Sequence, residues 1–329
     1  MRGVNFQWRT IGFFLNPVIA PVVAYKMVPG DAICSYLRSM SKFHFSLILA
    51  LVSCKDSPES TTIEQLDSIP VIAQEKEMGP LLTEDTILWI HGNREDSVEV
   101  IIRMPEGNPK GSILALPGWN YPNTGWCDST HLCEEAMKRG YAIILPEMGK
   151  SIYCSKIYPE TRSDWQRYPT RTWMTDHMIP TIQDLGLLQP GDPNFVMGLS
   201  TGARGAMLLG LDRPKIWQGI AVLSGDFDQS QFPSDNLYCG YYGPMDQFPE
   251  RWEYHDNTAQ MIEKLRAPVY IGHGAKDEVV ELKHSEILAD LLKSDNRTYV
   301  FNVNPEASHN YSYWNSEVDS VLTFFDQQQ

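Results

Sequence analysis

The 329-residue sequence is short of positive charge: 27 Lys and Arg stand against 41 Asp and Glu, a formal net charge of −14. A chain that neutralises nucleic-acid phosphates needs clustered basic side chains, so no nucleic-acid partner is expected. No apolar run reaches the roughly 18 to 20 residues of a spanning helix. HExxH, GxxxxGK[ST] and GxGxxG are all missing, and none of the six cysteines sits in a CxxC pair. These absences remove the common routes to metal, nucleotide and dinucleotide chemistry. No metal and no cofactor are expected, and the scattered His91, His131 and His273 read as structural. With 43% hydrophobic and 21% charged residues, disorder and coiled coil are excluded as well.

Charge is unevenly spread. The first 53 residues carry Arg2, Arg9, Lys26, Arg38 and Lys42 against a single acid, Asp31, while the remainder is strongly acidic. Within this leader, Met40 to His44 is a short charged start, 45–52 an apolar stretch, and Leu51-Val52-Ser53-Cys54 a processing site. Those residues resemble a bacterial lipoprotein signal, which implies lipidation of Cys54 and residence in the cell envelope on a membrane anchor; Met40 is the expected start, with Met1 the alternative. Segment 54–80, polar and without apolar periodicity, is expected to be a flexible tether spanning on the order of 25 to 30 Å. That leaves 81–329 as the folded domain. For an exported chain, Cys127, Cys133, Cys154 and Cys239 allow up to two disulfides in three connectivities.

From Asp85 on, short apolar runs alternate with longer amphipathic ones, the pattern of βα units on a mostly parallel sheet. Eight strands are predicted, at 86–90, 97–104, 112–116, 141–146, 194–199, 219–223, 268–272 and 298–303. The first two should form an antiparallel hairpin at one edge. Helices are predicted at 129–139, 172–185 with a kink at Pro180, 201–209, 258–265, 281–293 and 313–326. The stretch 225–257 reads as an irregular insertion rich in aromatic residues, which either walls a substrate pocket or packs onto the sheet.

Gly198-Leu199-Ser200-Thr201-Gly202 lies between a strand pattern and a helix pattern. A serine hydroxyl is a weak nucleophile and needs an exposed perch within reach of a base, and small flanking residues allow the sharp turn that supplies it. An acid and a histidine should follow in that order. Asp277 comes after the seventh strand and His309 after the eighth, both where a carboxyl-edge loop can reach the serine. Asp226 and Asp228, just after the sixth strand, are rival acids. In this reading His309 takes the Ser200 proton and Asp277 fixes the imidazole tautomer. The N–H groups of Thr201 and of Trp119, the latter in Leu116-Pro117-Gly118-Trp119-Asn120, are the candidate oxyanion donors.

With GxSxG at Ser200, His273-Gly274-Ala275-Lys276-Asp277 and His309-Asn310-Tyr311-Ser312-Tyr313-Trp314, the chain from about Asp85 resembles the α/β hydrolase superfamily. Within it, the text is similar to the esterase branch of S-formylglutathione hydrolases, feruloyl esterases and mycolyl transferases. The resemblance implies an α/β-hydrolase fold with helices on both faces of the sheet, and a serine hydrolase acting on carboxylic esters of small molecules or polysaccharides. Pro117 departs from the His that many relatives carry before the oxyanion glycine. A prolyl-oligopeptidase-like peptidase and a non-catalytic lipid-anchored binding protein are the alternatives.

Overall fold

The computed structural model describes residues 82–92, 97–165, 168–254 and 256–329. The leader, Cys54, the proposed start at Met40 and the tether lie outside the described residues. All eight predicted strands are present: β1 (Thr86–His91), β2 (Ser97–Arg103), β3 (Gly111–Leu116), β4 (Tyr141–Pro146), β5 (Asn194–Leu199), β6 (Gly219–Leu223), β7 (Val269–Gly274) and β8 (Tyr299–Asn304). They form one sheet in the order β1-β2-β4-β3-β5-β6-β7-β8. β1 and β2 are the expected edge hairpin, β2 also runs antiparallel to β4, and β3 to β8 are mutually parallel.

Period-2 alternation sorts the strands' apolar residues between two cores. Leu114 and Leu116 of β3, Val196 of β5, Ile220 and Val222 of β6 and Ile271 of β7 face one side. There they pack on α3 (Thr170–Trp173), α4 (Ile179–Asp184), α5 (Thr201–Asp212) and α8 (Leu282–Ser294). Ile113, Ala115, Phe195, Met197, Leu199 and Leu223 face the other, under α1 (Gly125–Ser129), α2 (Leu132–Lys138) and α9 (Tyr311–Asp326). Burial of both faces explains why the central strands read as continuous apolar runs. No described helix is long and apolar enough to cross a membrane.

Three expectations need correction. The helix predicted over 129–139 begins only at Leu132, as α2, and a separate α1 ends at Ser129, because Thr130 takes an extended backbone and its hydroxyl both donates to Trp126 C=O and accepts from Leu132 N–H. The run predicted from 172 begins at Thr170, and the kink foreseen at Pro180 is a single π-helical turn, Met174–Met178, joining α3 to α4. A residue without an N–H cannot close the tighter α turn, so the wider turn sits just ahead of it. The insertion 225–257 is not structureless: it contains a 3₁₀ turn at Gln229–Gln231, α6 (Asn236–Tyr242) and α7 (Pro249–Glu253). Its buried Tyr238, Tyr241, Tyr242 and Trp252 pack with Ile152 and Cys154 in a third apolar cluster, flanked by Trp119, Tyr158 and Trp165. Of the possible disulfides, Cys127–Cys133 forms, while Cys154 and Cys239 are free thiols.

Candidate active site

Ser200 stands at the turn from β5 into α5 with φ 54° and ψ −127°, a left-handed backbone that an L-residue adopts only when its surroundings impose it. The two flanking glycines make that turn possible. A Cβ on Gly198 would lie 2.1 Å from the Gly202 carbonyl oxygen, and one on Gly202 would lie 2.5 Å from the carbonyl oxygens of Leu116 and Pro117. The strand therefore closes on the helix, and the helix on the loop after β3, only without side chains at these two positions. Ser200 N–H donates to Leu223 C=O at 2.8 Å, anchoring the turn to β6. The serine is 7% exposed.

The loops after β7 and β8 are joined to each other. Ala275 N–H donates to Asn304 C=O and Lys276 N–H to Ala307 C=O, both at 2.8 Å. A side chain on Gly274 would collide with the Ala307 carbonyl. This union carries Asp277 and His309 together although 32 residues separate them. His309 Nδ1 lies 2.7 Å from Asp277 Oδ2 and its Nε2 lies 3.0 Å from Ser200 Oγ. Because a carboxylate only accepts, the Nδ1 proton points at Asp277 and leaves Nε2 to accept from the serine hydroxyl.

Burial alone would raise the Asp277 carboxyl. The hydrogen bond from His309 and the N–H groups of Val280 and Val279, at 2.9 and 3.0 Å, outweigh it and hold the group below the ordinary carboxylate range. His273, four residues earlier and buried, donates from Nε2 to Val280 C=O and accepts at Nδ1 from the Ser285 hydroxyl, which ties down the turn presenting those two N–H groups. Burial lowers its pKa. His309 itself is braced by Trp314, whose ring meets it edge-on with centroids 5.1 Å apart and whose Nε1–H donates to Ser224 Oγ.

The rival acids point elsewhere. Asp228 accepts from Ser230, Gln231 and Asn257 within the insertion. Asp226 faces the fully buried Arg204 at 3.5 Å, and burial raises its carboxyl to about 6. Thr201 N–H is the first in α5 and belongs to the donors that a helix leaves without an internal acceptor. Gly118 lies against the serine, since a Cβ there would sit 3.1 Å from Ser200 Cβ, which brings the Trp119 peptide alongside. Among the described residues no three His, Cys, Asp or Glu side chains converge as metal ligands. His131 is bonded to Asn315, and His91 to Ser97.

Two buried residues escaped the sequence reading. Trp314 appeared only as part of an aromatic stretch after His309. Arg204 shows its signal as a lone charge among the small and apolar residues 202–211, four residues past the serine. Its five N–H groups reach the carbonyls of Ile152 and Asp256, Gln229 Oε1, and the hydroxyls of Tyr238 and Tyr242, and so pin the insertion to α5.

Comparison with known proteins finds relatives in sequence and in structure. The family model described as "Putative esterase" matches residues 94–325. The chain is 27% identical over 247 residues to the diacylglycerol acyltransferase/mycolyltransferase Ag85C of Mycobacterium leprae (strain TN), covering 65% of this chain and 73% of that protein. In structure it is similar to FphF, a fluorophosphonate-binding serine hydrolase of Staphylococcus aureus, with TM-score 0.60, 15% identity, and 74% and 98% of the two chains covered. It is also similar to an S-formylglutathione hydrolase from Agrobacterium tumefaciens, with TM-score 0.60, 13% identity, and 74% and 95% covered. At such identities the structural likenesses establish the fold, which is that of the α/β hydrolases.

Proposed function

Because the chain belongs to this esterase family and is therefore a hydrolytic enzyme that cleaves esters, we propose that it works through an acyl-enzyme on Ser200. The observation that carries the reading is the two-sided hydrogen bonding of His309, to Ser200 Oγ at 3.0 Å and to Asp277 at 2.7 Å. His309 takes the hydroxyl proton as Ser200 Oγ attacks the ester carbonyl, and returns it to the departing alcohol. A water activated by the same imidazole then hydrolyses the acyl-enzyme. Asp277 keeps the Nδ1 tautomer in place and stabilises the imidazolium. The Thr201 and Trp119 N–H groups face the oxyanion of each tetrahedral intermediate.

The test is fluorophosphonate labelling of the purified protein and its Ser200→Ala variant, followed by a panel of acetyl and feruloyl sugar esters, simple alkyl esters and peptides. Labelling and ester hydrolysis should both vanish in the variant, whereas equal labelling of the two would remove Ser200 as nucleophile. We propose as well that the enzyme is exported and anchored through lipidated Cys54, a reading supported by Leu51-Val52-Ser53-Cys54 and the basic leader before it. Mass spectrometry of the mature N-terminus should find acylated Cys54, and a mature protein that retains the leader would contradict it.

A further inference from the structure

The loop that carries Trp119 turns on Gly118, whose backbone has few restraints of its own. A donor that meets a developing oxyanion must nevertheless be aimed before the reaction starts. Two main-chain hydrogen bonds do part of this. Tyr121 N–H donates to Gly118 C=O at 3.2 Å, which closes a tight turn and directs the opposite end of that peptide, the Trp119 N–H, away from it. Asn120 N–H donates to Gly149 C=O at 2.8 Å. The Trp119 N–H itself donates to no main-chain carbonyl among the described residues.

The third restraint comes from a side chain. Tyr153, fully buried, donates its hydroxyl to Pro117 C=O at 2.7 Å. It does so from a left-handed backbone, φ 58°, which a bulky residue holds only when its neighbours over-determine it. They do. Tyr153 N–H donates to Ser151 Oγ, which in turn bonds Thr170 Oγ1 at 2.7 Å. Ile152 C=O accepts from Arg204 Nε at 3.1 Å, and Cys154 C=O from Arg171 N–H at 3.0 Å. The ring crosses α5 at Gly205, where a Cβ would lie 2.4 Å from Tyr153 Cδ1. Only a glycine there lets the hydroxyl reach Pro117.

We propose that Tyr153 is a positioning residue: its hydroxyl holds the Pro117–Gly118 peptide so that Trp119 N–H faces the oxyanion formed at Ser200. This rests on Ser200 being the nucleophile. The strained backbone at 153, the Arg204 and Ser151 contacts that enforce it, and the bare α5 surface at Gly205 then serve one end, which is the aim of a single N–H group.

The experiment compares kcat and KM of wild type, Tyr153→Phe and Gly205→Ala on an oxygen ester and on the matching thionoester, whose sulfur accepts hydrogen bonds weakly. For Tyr153→Phe, kcat on the oxygen ester should fall about 10- to 100-fold, with KM changed less than about twofold. On the thionoester, where that donor contributes little in either protein, the fall should be under about threefold. Gly205→Ala keeps the hydroxyl but displaces the ring and should give the same pattern, so the answer can be read even where Tyr153→Phe proves unstable. Unchanged kcat on the oxygen ester, or equal losses on both esters, as loosened packing would give, overturns the proposal. If instead Ser200→Ala still hydrolyses the oxygen ester, it is the nucleophile that has been misassigned.

Discussion

At Asp277 burial and hydrogen bonding pull in opposite directions, and the hydrogen bonds win. The carboxylate is therefore ionised throughout the neutral range and able to hold the His309 tautomer. Asp277→Asn preserves the shape but offers its amide in place of a charge, so kcat should fall about 10³- to 10⁴-fold with the fold retained. A fall below tenfold in steady-state hydrolysis would mean that Asp277 does not orient the imidazole. Asp226 is the opposite case. Burial raises it from an ordinary value near 3.8 to about 6, so the folded protein binds that proton more tightly than the unfolded chain. Its stability should drop as pH climbs from about 4 through 6, by at most about 3 kcal/mol. Asp226→Asn should therefore be more stable than wild type by about 1–3 kcal/mol at pH 8, with the difference gone near pH 4. Denaturant unfolding at the two pH values checks this, and an equal difference at both would contradict it.

At the scale of elements, the turn between β5 and α5 leaves no room for a side chain at either of its glycines. Gly198→Ala places a methyl 2.1 Å from the Gly202 carbonyl oxygen, a collision between two pieces of backbone that no rotamer relieves. It should cost more than about 3 kcal/mol, read as a lowered unfolding midpoint, and a variant of wild-type stability would refute the packing described. Such constraints also explain what the sequence could disclose. The strands were legible because each is a short apolar run ended by turn residues, and Ser200, Asp277 and His309 were legible because each follows a strand. The π turn before Pro180 and the short helices of 225–257 were not, since helices of one or two turns owe their existence to tertiary packing rather than to local propensity. Here that packing is Tyr238, Tyr241, Tyr242 and Trp252 closing round Ile152 and Cys154. Tyr153 left no signal at all, because the glycine that receives its ring is 52 residues away.

For the molecule as a whole, the parallel strands deliver the ends of β3, β5, β7 and β8 to one carboxyl edge, and the loops there hold Trp119, Ser200, Asp277 and His309. The strand order could not be read from the chain, because it depends on contacts between distant segments, and the pairing of Cys127 with Cys133, only six residues apart, could not because it depends on the break between α1 and α2. The central claim is chemical: an ester's acyl group passes through Ser200. Quenching the enzyme during turnover of a slowly deacylating ester, and mapping the acyl mass shift by peptide mass spectrometry, tests it directly. The account predicts one acyl group per protein, on the peptide containing Ser200, with none in Ser200→Ala. An acyl group on another residue, or undiminished hydrolysis by Ser200→Ala, would contradict it.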